Sequence, residues 1–567
     1  MNEITLELGT WQYNAGIAGF CNILEKNGFN IEISGDKIIF ESSEKLKEAL
    51  ENFEEKYFNY LIDEYEVTLS WYKIVSYKSK LEEIKNNFEI LNAEEFQKMD
   101  KYIKEVLKYY IKSASYKAAY ELIDDNINPL ELEKELKPVN LKKGEKIADK
   151  KTEILQMVDK ALVLINYCEK GKKYLAGKNV IYTLVKNAWN GVSFLNPQTK
   201  EKDMYKDFKG YFVDTAVSYI DEDKSKYKYE CFICDNKIKN FDNTFSFLNQ
   251  TGFDVAKKPS HVWNFINNIA MCPICKLIYS CIPAGFTYVY DNGIFINSNQ
   301  SLSELIRINK RIHIEMYERS KEEGTSSLTY RALAGALREE KNKNVKYELA
   351  DIQMVRYENE KYYFNILSKK IIKIIRDSKN DFDVLTKAWY KEINTDFRLY
   401  EEVMKRVLNN QNLYTLIYKL LFYKISRESD CYFTPGHIMR VLNINYRILE
   451  GLGLMKDKES MNRDAGNAGF YLGKEYKEKN AEQKINSICY KVLNGIKTNN
   501  IEGVRSVIVN SYMYVGISIP SVIFDMFADD ELLKQFAHTF MCGLLNGKDG
   551  KKWGDKTENN NSDGGDK

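Results

Sequence analysis

Histidine and proline are scarce in this 567-residue chain, which has four His and eight Pro. The four, His261, His313, His437 and His538, stand singly and form no H-E-x-x-H pair. A metallohydrolase or a Ser-His-Asp hydrolase needs imidazoles in company, so neither class is expected. No G-x-x-x-x-G-K-[ST] occurs, and no G-x-G-x-x-G follows a strand, so no loop of the usual kind cradles a nucleotide phosphate. No apolar run approaches the ~18–20 residues that cross a bilayer. The acidic opening MNEITLELGT has no signal-peptide character. The expectation is a cytoplasmic protein with no membrane partner and no catalytic residues. Its scattered thiols, Cys21, Cys168, Cys431, Cys489 and Cys542, should stay reduced.

What is present begins with charge. The formal net charge of +2 hides an asymmetry. Residues 1–70 carry 5 Lys against 14 acidic residues, and residues 101–210 carry 22 Lys against 15. Local fields act over about a Debye length, ~8–10 Å, so the basic stretch can attract phosphate although the chain as a whole is near neutral. Solvated helix faces would leave the same pattern.

Length suggests roughly two to four domains, and periodicity predicts an α+β protein. The opening reads β-α-β-β: ITLEL alternates, WQYNAGIAGFCNILEK carries Ile17, Phe20, Cys21 and Leu24 on one helical face, and Gly35–Asp36 punctuates a hairpin. TYVYDNGIFIN (287–297) reads as a second hairpin, its turn at Asp291–Asn292–Gly293. VKYELADIQMVRY and KYYFNIL (345–367) read as a further strand pair. Beyond about residue 380 only helices are expected. The organisation read from this is an N-terminal mixed α/β region, 1–380, with small sheets and an embedded zinc-binding subdomain at about 225–285. An all-α helical bundle, 381–546, and a disordered polar tail, 547–567, follow.

Four of the ten cysteines sit in two knuckles, Cys231-x2-Cys234 and Cys272-x2-Cys275, separated by 37 residues. A C-x-x-C turn presents two sulfurs to one ion, and two such turns complete a tetrahedron. With every position filled by protein, no place remains for water or substrate, so the spacing predicts a structural zinc. A redox dithiol needs one pair in a βαβ context, which is absent. His261 lies between the pairs and is not needed. The insert should carry structure of its own, with FDNTFSFLNQ (241–250) as a strand and HVWNFINNIAM (261–271) as a helix.

Nucleic-acid contact leaves a weaker trace. A groove reader needs small residues at a loop tip, amides for base edges and nearby Lys for phosphates. KNAWNGVSFLN (186–196) meets that description through Asn187, Asn190, Gly191, Ser193 and Asn196, with Trp189 or Phe194 as a wedge between bases. Lys142, Lys143, Lys172, Lys173 and Lys178 are the phosphate candidates. A turn-rich loop with buried aromatics fits the same residues.

Taken together, WQYNAGIAGF (11–20), the double CxxC with CPIC as its second half, and a helical C-terminus ending FMCGLLNG (540–547) resemble the CXXC–CXXC family of CRISPR-associated proteins. That family supplies the large subunit of type I-B Cascade. The resemblance implies a subunit beside the crRNA 5′ handle that recognises the protospacer-adjacent motif in target double-stranded DNA. It implies help in R-loop formation and in helicase–nuclease recruitment, with no cutting by this chain. Partners would be crRNA, the backbone, 5′-handle-binding and small subunits, and the helicase–nuclease. The resemblance also implies that the small subunit can be translated from within the gene. Met439, Met455 and Met461 are candidate starts, and Met455 is preferred because Glu450–Gly451 can be encoded by a purine-rich ribosome site. A zinc-stabilised nucleic-acid-binding protein outside CRISPR, or an enzyme with an unrecognised site, would be the other readings.

Overall fold

The first strand, β1 (Ile4–Glu7), pairs antiparallel with β3 (Lys37–Phe40), which also pairs with β2 (Glu32–Ser34), giving the sheet order β1-β3-β2. Gly35 turns the β2–β3 hairpin at φ +63°. The expected β-α-β-β opening is therefore present. Residues 3–141, 145–249, 269–289, 292–298, 301–320, 352–358, 360–455 and 459–549 are described by the computed structural model of the chain. Their contacts divide them into two compact units. One comprises residues up to 320 together with Gln353–Phe364, and the other runs from Asn365 onward.

In the first unit, helix α1 (Trp11–Lys26) is buried on every side from Tyr13 to Leu24. The apolar face read from the sequence is only half of it. The opposite face, with Gly16 and Gly19, meets α2 (Pro273–Ser280) and α3 (Ile282–Gly285). A Cβ on Gly16 would strike the Ile278 carbonyl oxygen, and one on Gly19 that of Cys281. A Cβ on Gly285 would meet the Ala15 carbonyl in turn. The small residues of WQYNAGIAGF therefore let two helix backbones touch.

A second sheet has the order β6 (Thr287–Val289), β7 (Asn292–Asn297), β8 (Ile352–Glu358), β9 (Lys361–Leu367). Here the reading of the turn is corrected. Val289 pairs with Asn292 and Tyr288 with Gly293, so Asn292 and Gly293 are strand residues. The connection, residues 290–291, lies outside the described residues. Gly293 serves a packing need instead: a Cβ there would lie 2.8 Å from the Tyr288 ring across the strand pair. Of VKYELADIQMVRY, only the part from Ile352 is described, as β8.

The second unit is helical, as expected. Its longest helices, α4 (Glu459–Glu478) and α5 (Asp530–Asp549), lie backbone to backbone through glycines on both. A buried chain of amides ties them to the helix Pro435–Gly451: Asn445 Nδ2 donates to Gln535 Oε1 at 2.9 Å, and Gln535 Nε2 donates to Asn462 Oδ1 at 3.2 Å. The expectation of helices alone beyond residue 380 is corrected by a three-stranded sheet in the order β11-β10-β12, made of β10 (Trp389–Glu392), β11 (Thr395–Arg398) and β12 (Cys431–Tyr432). Its hairpin was hard to read because Ile393 and Asn394 replace the usual glycine. The tail expected at 547–567 is corrected at its start, where residues 547–549 still belong to α5, and from 550 onward it lies outside the described residues.

Ile393 holds φ at +54° with 93% of its surface exposed. A left-handed conformation costs an L-residue about 1–2 kcal/mol, and a β-branched side chain most of all. Ile393→Asn should therefore stabilise the chain, by about 1 kcal/mol, because Asn tolerates this region. An unchanged or lower midpoint in urea would show that the Ile side chain contributes more than its backbone costs.

Candidate metal centre

The first knuckle closes a short ladder. β4 (Tyr229–Glu230) pairs with β5 (Lys237–Ile238), Glu230 opposite Lys237. Between them Asp235, at φ +57°, turns the chain, and its N–H donates to the Cys231 carbonyl at 3.0 Å. The second knuckle is a helix start. Cys272 is the N-cap of α2, Pro273 follows at the first helical position, and Cys275 N–H donates to Cys272 Sγ at 3.4 Å. Pro fits there because that N–H has no helical partner. The knuckles are held side by side: Phe232 N–H donates to the Ala270 carbonyl at 2.9 Å, and Met271 N–H to that of Asn243, also at 2.9 Å.

This brings the four sulfurs within 4.8 Å of one another, with Cys234 and Cys272 Sγ 3.7 Å apart. A tetrahedron with metal–sulfur bonds of ~2.3 Å has edges of about 3.8 Å, so the observed separation fits an ion at the centre. Cys231, Cys272 and Cys275 are buried and Cys234 is half-buried. Hydrogen bonding from Cys234, Cys272 and Cys275 pulls the Cys231 thiol well below the ordinary thiol range, and contact with Cys231 first, then Cys234 and Cys272, pushes Cys275 well above it. Sulfurs this close do not hold their protons independently, and a cation that replaces the protons relieves the conflict.

Donors surround the cluster. Cys231 Sγ accepts from Ile233 N–H at 3.4 Å and Cys272 N–H at 3.2 Å. Cys234 Sγ accepts from Asn236 Nδ2 at 3.2 Å. Tyr13, reaching in from α1, places its hydroxyl 3.4 Å from Cys275 Sγ. Lys276, beside the last ligand, is buried with Nζ 3.6 Å from the centroid of the Tyr211 ring, and burial pushes its ammonium down to about 8. None of Tyr13, Asn236 and Lys276 was singled out from the sequence. Asn236 and Lys276, two places and one place after a ligand, lay where a local signal could have been sought, whereas Tyr13 did not.

The loop 186–196 lies against the insert between the knuckles and the end of α2. Trp189 is fully buried and bridges to Leu248 in the insert, while its Nε1 donates to the Ser280 carbonyl at 3.1 Å. Asn190 N–H donates to the Phe247 carbonyl at 2.9 Å, and Asn249 N–H to that of Ala188 at 3.0 Å. The wedge role read for Trp189 is thereby corrected: the indole is a core side chain. Phe194 is half-buried, its ring 5.2 Å from that of Trp189 and 6.3 Å from that of Phe208. Ser193 is buried at φ +48°. Asn187 donates to the Thr183 carbonyl at 2.8 Å and accepts from the Tyr357 hydroxyl at 3.3 Å. Asn196 Oδ1 accepts from Gln198 N–H at 3.0 Å. Asn190 and Gly191 are the exposed tip, with Gly191 at φ +76°.

The lysines fall in different places. Lys172 pairs with Glu66 at 2.8 Å and lies over the Trp71 ring, and Lys173 pairs with Glu55 at 2.5 Å and lies over the Tyr205 ring. Burial lowers the Lys178 ammonium. Lys142 and Lys143 lie outside the described residues. The insert differs from its reading. FDNTFSFLNQ is irregular over 241–249 apart from the Leu248 bridge, and most of HVWNFINNIAM, with His261, is outside the described residues. Met455 is buried four residues past the end of the helix Pro435–Gly451, where its carbonyl accepts from the Tyr446 hydroxyl at 2.9 Å. No helix among the described residues is long and apolar enough to cross a membrane.

Two C-x-x-C turns that converge on one point, ringed by polar N–H and O–H groups, form a four-cysteine cluster able to hold a metal ion. Residues 224–287, which contain all four ligands, match the family model of a CRISPR-associated protein, Cas_CXXC_CXXC. The resemblance read from the sequence agrees with that match. Neither the curated proteins nor the solved structures provide a match.

Proposed function

We propose that this chain is the large subunit of a type I-B crRNA-guided surveillance complex, and that its four-cysteine centre holds zinc in a structural role. The observation that carries the reading is the convergence of the four sulfurs inside the segment matched to the CRISPR-associated family. A closed thiolate set offers no open position for substrate, which favours a scaffold. Its effect on function would be positional. The insert between the two knuckles is bonded to the loop 186–196, whose tip presents Asn190 and Gly191 to solvent. A backbone without a Cβ beside a free carboxamide is suited to close approach to a groove edge. We assign motif reading in target duplex DNA to that tip, with sequence reading left to the guide RNA.

We place no catalytic step on this chain. Three of its four histidines have structural work: His313 pairs with Glu64 at 3.2 Å, His437 closes a helix cap on Thr434, and His538 is buried against the Lys534 carbonyl. Internal translation from Met455 also belongs to this reading, because α4 and α5 lie wholly downstream of it.

The test is a pull-down of the tagged chain expressed from its own locus with its neighbouring genes. Partner subunits and discrete short RNA should co-elute, and the assembly should bind duplex DNA in a motif-dependent way that Asn190→Ala weakens roughly tenfold, the ~1–3 kcal/mol of one base contact. A full-length chain eluting alone, without RNA, would overturn the assembly role. Unchanged motif-dependent binding by the variant would overturn the loop assignment alone.

A further inference from the structure

The sulfurs of the metal centre do not draw their hydrogen bonds from the same place. Cys231 is served by the backbone N–H groups of Ile233 and Cys272, Cys272 by that of Cys275, and Cys234 by the side chain of Asn236. All of these come from the knuckles themselves. Among the described residues, the one side-chain hydrogen-bond partner of Cys275 Sγ outside the four cysteines is the Tyr13 hydroxyl, 3.4 Å away and 262 positions distant in the chain. Tyr13 is itself 2% exposed, and that sulfur is the one partner its hydroxyl has among the described residues. A buried hydroxyl that had a better acceptor would use it, since an unmade hydrogen bond costs about 1–3 kcal/mol.

We infer that Tyr13 is a positioning residue of the metal centre, its O–H donating to the Cys275 thiolate, so that helix α1 is a working part of the site although it lies outside the knuckles. The electrostatics favour this. Four thiolates around a divalent ion leave two net negative charges in a buried place. Each N–H or O–H aimed at a sulfur draws off part of that charge and fixes the direction of the lone pair. The backbone supplies the donors at Cys231 and Cys272 whatever the side chains are, and Asn236 supplies that at Cys234 from within its own knuckle. At Cys275 the donor is a side chain, and a substitution can remove it.

This inference rests on the metal-binding reading of the cysteines, and the experiment separates the two. The full-length chain is loaded with Co²⁺, which gives a sulfur-to-metal charge-transfer band, and its metal is then challenged with EDTA. Tyr13→Phe keeps the ring against Tyr279 and removes only the hydroxyl. Tyr57→Phe is the control: its hydroxyl is also buried and donates to the Ser280 carbonyl at 3.1 Å, on the same helix as Cys275 and not to a cluster sulfur. Y13F should lose cobalt to the chelator about tenfold more readily, the lower end for an outer-shell partner. Its charge-transfer band should move to longer wavelength, because an unmasked thiolate gives up its electron more easily. Y57F should lower thermal stability and leave the band in place. Equal bands and equal chelator resistance in Y13F and wild type would overturn the role of Tyr13. An equal band shift in Y57F would assign the effect to packing and overturn it as well. A wild-type chain that takes up no cobalt would remove the metal centre itself.

Discussion

Metal withdrawal should melt the first unit early. Treating the full-length protein with a chelator, or replacing Cys272 by Ser, is expected to lower its melting transition by roughly 8–16 °C. The size follows from two magnitudes. Closed thiolate sites contribute about 10–16 kcal/mol in small zinc peptides, where they are the whole of the fold. Here a large apolar core persists without the ion, so we take about a third, near 4 kcal/mol, at roughly 2–4 °C per kcal/mol for a unit of this size. The change should be uneven. Backbone amides at 229–249 and 270–275 should lose exchange protection first, because their hydrogen bonds cross between the knuckles. The loop 186–196 should follow, since Asn190 and Asn249 exchange bonds with the insert and its neighbour. The β1-β3-β2 sheet should change little. A melting curve unmoved by chelation, with unchanged exchange at 186–196, would show that the centre neither stabilises the unit nor holds the loop.

The second large effect is expected at the glycines between α4 and α5. A Cβ on Gly469 would strike the Phe540 carbonyl oxygen, on Gly543 that of Gly466, and on Gly547 that of Phe470. Helix propensity and packing give opposite signs here, so magnitudes decide. Gly→Ala in a helix interior gains about 1 kcal/mol from propensity. Forcing a methyl group against a backbone carbonyl in a close-packed interior costs about 1–3 kcal/mol, and more where a rigid neighbour cannot turn aside. Backbone is such a neighbour, so Gly543→Ala should cost a net ~2 kcal/mol or more. Gly210→Ala is the comparison: it is helical, with open space where its Cβ would point, and should be neutral or stabilising. Urea denaturation of the two variants measures both. A stabilised G543A would mean that the helices can separate without loss.

The sequence was most legible where the physics is local. Two cysteines three positions apart dictate a turn that aims both sulfurs one way, and the converging cluster followed from spacing alone. The β-α-β-β opening was readable because alternation and a Gly-Asp turn act over a few residues. The limits are equally physical. In α1 the apolar face was evident, but the Ala and Gly face looked like absence of signal until a second backbone was seen lying in it. Trp189 occurs among Asn, Gly and Ser, the composition of an exposed loop, and its burial depends on Leu248 and Ser280, far away in sequence. Tyr13 carries no mark of its partner sulfur. The Trp389–Arg398 hairpin escaped because its turn uses Ile393 in a conformation that residue seldom adopts.

The separation between Tyr13 and Cys275 also has a consequence in time. A ribosome adding about 5–20 residues per second needs roughly 13–50 s to travel between those two codons. Throughout that interval α1 has been made, while the helices that cover its glycine face have not. The nascent chain therefore emerges with an apolar segment whose shelter is encoded far downstream, and the arrival of the second knuckle brings that shelter and the last two thiolates together. Completion of the metal centre thus coincides with the closing of the N-terminal core, and an ion captured at that moment would act as a latch on a fold that until then has been waiting for its own middle.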